Sequence, residues 1–121
     1  MTTMILQNPE RQAVEWTPRT DVVETEQGYQ LQLDLPGIKR EDLDIQIAND
    51  TITIRGERRL NSNLESYHRV ERPYGTFSRV FLVPEFVDQS GIEAKLSDGV
   101  LSLFMPRREE AKPKQIQVQV A

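Results

Sequence analysis

Cysteine is absent from the 121 residues, so disulfides and thiolate metal sites are excluded. Histidine occurs once, at His68. A catalytic histidine needs a nucleophile or an orienting acid, and a metal site needs further ligands, so His68 reads as a partly exposed strand residue. No apolar run approaches the ~20 residues of a membrane span. The six glycines stand singly at turns and strand ends, which leaves no phosphate-cradling loop. The apolar fraction, 37%, is low beside a charged fraction of 28%. Such a chain has polar extensions or buries surface against copies of itself. A formal net charge of −4 gives a field that does not favour nucleic acid, and no obligate membrane partner is expected. The start has one apolar patch, Met4-Ile5-Leu6, with no basic region before it, so it does not read as a secretory signal. A cytoplasmic location follows as an expectation. The glycosylation sequon at Asn49-Asp50-Thr51 is then a coincidence.

Alternation of period two is abundant. Asp21 to Glu24 reads as a short edge strand. In the next, Tyr29, Leu31, Leu33 and Leu35 point one way and Gln30, Gln32 and Asp34 the other. Pro36-Gly37 stops it in the order of a type II turn. Lys39 to Asp42 is a polar link with room for one helical turn. Leu43 to Ile47 and Thr51 to Arg55 form a hairpin across Asn49-Asp50, residues that tolerate positive φ. Thr76 to Val83 is an apolar-rich strand ended by Pro84, and Phe86-Val87 opens a loop that reaches Gly91. Ile92, Ala94 and Leu96 alternate before Asp98-Gly99, a second hairpin signal, and Val100 to Met105 returns. No segment has helical periodicity. Many short strands with turns between them predict an all-β, immunoglobulin-like antiparallel sandwich.

From Gly56 to Gly75 the pattern breaks into a polar excursion holding a strand-like piece, Tyr67 to Arg72. A long excursion within a compact domain usually carries function. Arg55, Arg58, Arg59, Arg69, Arg72 and Arg79 cluster around it with Tyr67, Tyr74 and Phe77. Glu57, Glu65 and Glu71 intervene, so ion pairs in a protein interface explain the cluster better than a nucleic-acid surface. The adjacent acids Glu41-Asp42 and Glu109-Glu110 are flanked by Lys or Arg and read as solvated charge. Paired catalytic carboxylates would need a pocket that separates their pKa values. The sequence thus supports no enzyme and no cofactor.

The tail is the sharpest clue. Ile116, Val118 and Val120 alternate with glutamines and project to one side of an extended strand, after a charged linker containing Pro113. Such a strand either closes the domain's own sheet or docks on another chain. About ten linker residues favour reach, because a hairpin return needs only two to five.

These residues resemble the α-crystallin domain family, the small heat shock proteins, in its bacterial and plant form. Trp16-Thr17-Pro18 resembles the family's entry to the first strand. Leu33-Asp34-Leu35-Pro36-Gly37 with Glu41-Asp42-Leu43, and Ile52-Thr53-Ile54-Arg55-Gly56-Glu57-Arg58, resemble two of its segments. Arg72 with Gly75-Thr76-Phe77-Ser78-Arg79 and the Pro84 stop resembles a third. Ala94 to Leu101 matches the family signature, with Ala94 small for close packing, and Ile116-Gln117-Val118 matches its tail motif. The resemblance runs from Trp16 to about Val120. It divides the chain into a short arm, 1–15, an α-crystallin domain, 16–106, and a C-terminal extension, 107–121.

The resemblance implies an ATP-independent holdase that binds partly unfolded clients and keeps them refoldable for ATP-driven chaperones. It implies a homodimer with a swapped strand, its interface formed by Tyr67, His68, Arg69, Val70, Glu71, Arg72 and Arg79. It also implies higher assembly, with Ile116 and Val118, and Val120 beyond them, docking between strands at Leu43, Ile45, Ile47 and at Ile92, Ala94, Leu96 of another dimer. The family's arm is longer and rich in Phe and Met. Here the client-contact candidates reduce to Met4, Ile5, Leu6, Val14 and Trp16, and client capture is expected to fall partly to the grooves. A related sandwich, the CS-domain co-chaperone type, stays monomeric and lacks both the excursion strand and the tail.

Overall fold

A computed structural model describes residues 15–111 and 116–120. Its strands are β1 (Thr20–Thr25), β2 (Gly28–Asp34), β3 (Leu43–Ala48), β4 (Thr51–Arg58), β5 (Gly75–Leu82), β6 (Glu93–Ser97) and β7 (Val100–Pro106). They form a four-stranded sheet in the order β1-β2-β7-β6 and a three-stranded sheet in the order β3-β4-β5. All pairings are antiparallel. The expected β-sandwich is therefore present, and the link at Arg40–Asp42 is a 3-10 turn.

Local chemistry sets the hairpins. Asn49 and Asp50 both take positive φ, 54° and 59°, and Asp98-Gly99 takes 54° and 78°. These are the left-handed pairs that match the twist of two-residue hairpins. Gly37 at φ 75° supplies the turn after Pro36.

The alternation then fills the space between the sheets. Leu31 and Leu33 from β2, Ile52 and Ile54 from β4, Phe77 from β5, and Leu101, Leu103 and Met105 from β7 are all buried. Leu35, Ile38, Val83 and Val87 close the ends of the same core from the connecting segments. Trp16 packs against its edge, with its ring 5.1 Å from that of Phe77 and its indole N–H donating to the Gly75 carbonyl at 2.8 Å. Ala94 departs from the expectation of close packing: it is exposed, because β6 is an edge strand and the opposing sheet does not extend over it.

Burial of this kind makes the core sensitive and the outer faces tolerant. Leu33→Ala is expected to destabilise the fold by about 2–5 kcal/mol. Gln32→Ala, one residue earlier on the outer face, is expected to stay within about 0.5 kcal/mol. Urea denaturation with a shared m-value measures both, and equal losses would contradict the assigned faces.

Candidate functional site: a groove between sheet edges and a tethered excursion

β3 ends one sheet and β6 ends the other, so the sandwich opens between them. The opening is a groove of about 490 Å³ lined by Arg40, Leu43, Ile45, Ala94, Lys95, Leu96 and Leu101. Four of the six expected docking residues, Leu43, Ile45, Ala94 and Leu96, meet there. Ile92 does not line it and packs against the core instead, and Ile47 also lies outside the lining. Arg40 and Lys95 were not anticipated. Both line the groove, and nothing in the apolar alternation signals them.

The described end of the tail lies free of the sandwich. Ile116, Val118 and Val120 are 86%, 89% and 96% exposed and belong to no strand. Closure of the domain's own sheet, one of the two readings of this segment, is not what the chain adopts.

The excursion between β4 and β5 contains a 3-10 turn at Leu64–Ser66 and then an extended stretch. Tyr67 to Arg72, read from the sequence as a strand, has no strand partner among the described residues. Among the described residues, no backbone bond of the chain itself holds His68 to Glu71. His68, Arg69, Val70, Glu71 and Arg72 are exposed, and Arg69 pairs with Glu71 at 2.9 Å, two residues along the same side. A strand exists only where its N–H and C=O groups find a neighbour. The missing neighbour is the physical reason for the difference.

Both ends of the excursion are held by one guanidinium. Arg58, the last residue of β4, is 7% exposed and is the buried charged side chain of the core region. Its Nη1 donates to the carbonyls of Arg72 and Pro73 at 3.4 and 2.5 Å. The sequence placed Arg58 in a cluster of ion pairs, but its partners here are backbone oxygens. Arg59 follows the expected pattern, at 3.0 Å from Asp42 and 3.7 Å from Glu57.

Arg79, expected at a dimer interface, donates from Nη1 to the Pro18 carbonyl at 3.2 Å and lies 5.1 Å from the Phe81 ring centroid. Trp16, a client-contact candidate, packs at the core edge and stays partly exposed. Met4, Ile5, Leu6 and Val14 lie outside the described residues. Asp88 caps the turn before β6. The Ser90 hydroxyl donates to it at 2.6 Å and holds its carboxyl below the usual range. Among the described residues no group of three or more His, Asp or Glu is placed to hold a metal, and no helix is long and apolar enough to cross a membrane.

The two sheets leave a groove between their edges, and the excursion and the end of the tail lie outside both sheets. The chain belongs to the Hsp20/alpha crystallin family, whose model matches residues 21–121. It is 39% identical to small heat shock protein C2 of Rickettsia felis over 84% of this chain and 67% of that protein. It is 38% identical to spore protein SP21 of Stigmatella aurantiaca over 85% of this chain and 62% of that protein. The chain thus spans about two thirds of the curated relatives it matches. A small heat-shock protein from Xylella fastidiosa, described as having a distinct high order structure, superposes with a TM-score of 0.76. It is 40% identical, over 88% of this chain and 100% of that one. HspA of Xanthomonas axonopodis gives 0.70 at 37% identity, over 78% and 97%. Membership of this family supports a chaperone role.

The Arg58 tether yields a test. Arg58→Met keeps apolar bulk but leaves the carbonyls of Arg72 and Pro73 without their donor, a loss of about 1–3 kcal/mol. Native-state hydrogen exchange is expected to show faster exchange across residues 70–76, together with a lower urea midpoint. Unchanged protection in that segment would contradict the tether.

Proposed function

We propose that this chain is an ATP-independent holding chaperone that works as a swapped-strand dimer and builds larger assemblies through its tail. The observation that carries the reading is the pairing of two unmatched surfaces in one chain. The tail presents Ile116 and Val118 almost fully to solvent, while Leu43, Ile45, Ala94 and Leu96 line an apolar groove between two sheet edges.

The excursion supplies the dimer contact. Tyr67 to Glu71 is an extended segment in need of a ladder, and β1 is an edge strand whose Val22 and Val23 are 54% and 48% exposed. Laying the segment of one protomer along β1 of its partner would satisfy both backbones and cover two edges that otherwise invite aggregation. Arg72 and Arg79 border this contact, Arg72 at the foot of the excursion and Arg79 through its bond to Pro18.

The tail supplies reversible assembly. Full burial of Ile116 or Val118 gives roughly 1.5–3 kcal/mol each. Ordering the tail offsets part of that, so one contact is weak and exchanges. Several around an assembly hold by avidity. Released grooves then offer apolar edges to partly unfolded clients, which ATP-driven chaperones later refold. Residues 1–15 act as a short arm, 16–106 as the α-crystallin domain and 107–121 as the extension. The setting is the cytoplasm, with no enzymatic step.

Two outcomes are expected. Stoichiometric protein suppresses aggregation of a heated model client without nucleotide, measured by light scattering, and a client that precipitates at its normal rate overturns the chaperone reading. Ile116→Ala with Val118→Ala reduces any larger assembly to dimers in native mass spectra with the fold intact, and unchanged mass overturns tail docking.

A further inference from the structure

We propose that the uncharged end of the outer face of the three-stranded sheet is a docking surface for the chain's own first residues, Met4-Ile5-Leu6. The register places Ala48, Thr51 and Leu82 in one row of that face and Gln46, Thr53 and Val80 in the next. Neither row carries a formal charge. Charge begins at the following row, with Asp44 opposite Arg55. Val80 is 59% and Leu82 81% exposed, on the outside of a strand whose other face is core.

The place where the arm meets the fold lies beside this face. Glu15 and Trp16 both donate their backbone N–H to the Thr76 carbonyl, at 2.9 and 3.3 Å. From there Trp16 turns inward to Phe77. The Glu15 carboxylate takes the opposite side, where its Oε2 accepts from the Thr76 backbone N–H at 2.8 Å and from the Thr76 hydroxyl at 3.3 Å. Thr76 is in step with Ser78, Val80 and Leu82, so its hydroxyl belongs to the outer face. Gly75 makes the approach possible: a Cβ there would lie 2.3 Å from Glu15 Oε2. The arm is therefore rooted at the free edge of β5, with the Glu15 side chain on its outer side.

Reach and composition agree with this occupant. At ~3.3 Å per residue, Val80 is about 13 Å and Leu82 about 20 Å along β5 from Thr76. The stretch from Leu6 to Glu15 can span up to ~30 Å. The first nine residues carry no charged side chain, like the two rows they would cover. The groove between β3 and β6 fits them less well, because it opens at the far edge of this sheet from β5 and is lined in part by Arg40 and Lys95.

The absence of cysteine makes the test direct. Ile5→Cys with Leu82→Cys is expected to form an intramolecular disulfide about tenfold faster than Ile5→Cys with Gln32→Cys, whose second site lies on the other sheet's outer face. Equal rates would overturn the proposal. So would crosslinks that form mainly between isotopically distinct copies, which would assign the face to a second molecule. Independently, Val80→Ser with Leu82→Ser should speed tryptic cleavage after Arg11 several-fold, roughly in proportion to the undocked fraction. Unchanged cleavage with an unchanged urea midpoint would also overturn it. So would a reduced, unfolded polypeptide that protects β5 from hydrogen exchange and leaves Arg11 cleavage unaltered, since that would make the face a client surface.

Discussion

A sandwich of two unclosed sheets has four edge strands, and the backbone groups along those edges must be met by something. In this chain β1, β6, β3 and β5 are the edges. Each is treated differently. The entry segment at Glu15 and Trp16 bonds to the start of β5. β3 and β6 flank an apolar groove. β1 lies open beside exposed valines. The elements outside the sandwich, arm, excursion and tail, are the parts of the molecule with backbone and apolar side chains to offer in return.

The tether at Arg58 shows how the fold controls one of these offers. A buried guanidinium bonded to carbonyls, with no carboxylate beside it, fixes where the excursion leaves and rejoins the sheet without fixing its middle. The charge is stabilised by dipoles of the very backbone it positions, a stronger hydrogen bond than a neutral donor would make. The segment from His68 to Glu71 lies between these fixed points with its own ladder groups unpaired among the described residues.

Much of the architecture is legible in the residues. Asn49-Asp50 and Asp98-Gly99 announce the hairpins because few residues tolerate left-handed φ, and strict alternation in β2, β4 and β7 marks the core. Four of six groove residues follow from the same alternation once the two edges are brought together. What the pattern does not contain is the third dimension. Arg58 and Arg59 are neighbours in one basic cluster, yet one is buried on carbonyls and the other exposed beside acids, because β4 ends at Arg58 on the inward parity of Ile52 and Ile54 while Arg59 lies beyond the strand. Ala94 matches a packing motif but sits on an edge strand, across an open groove from Leu43 and Ile45. Trp16 reads as the entry to the first strand and a client-contact candidate, and only the fold places Phe77 and the Gly75 carbonyl beside it. The strand character of Tyr67 to Arg72 needs a neighbour, and none of the described residues provides one.

The two sheets also differ in how far apart their partners lie along the chain. The three-stranded sheet is built by steps from one strand to the next, whereas β2 and β7 join Gly28 to Pro106 at the centre of the larger sheet. Contacts of such separation are slow to close. During synthesis, which runs from the N-terminus, β2 is made early and its central partner late. The β1–β2 hairpin must therefore wait with the β2 edge bare while the smaller sheet assembles, so the centre of the larger sheet is exposed in the nascent chain and covered only when β7 arrives.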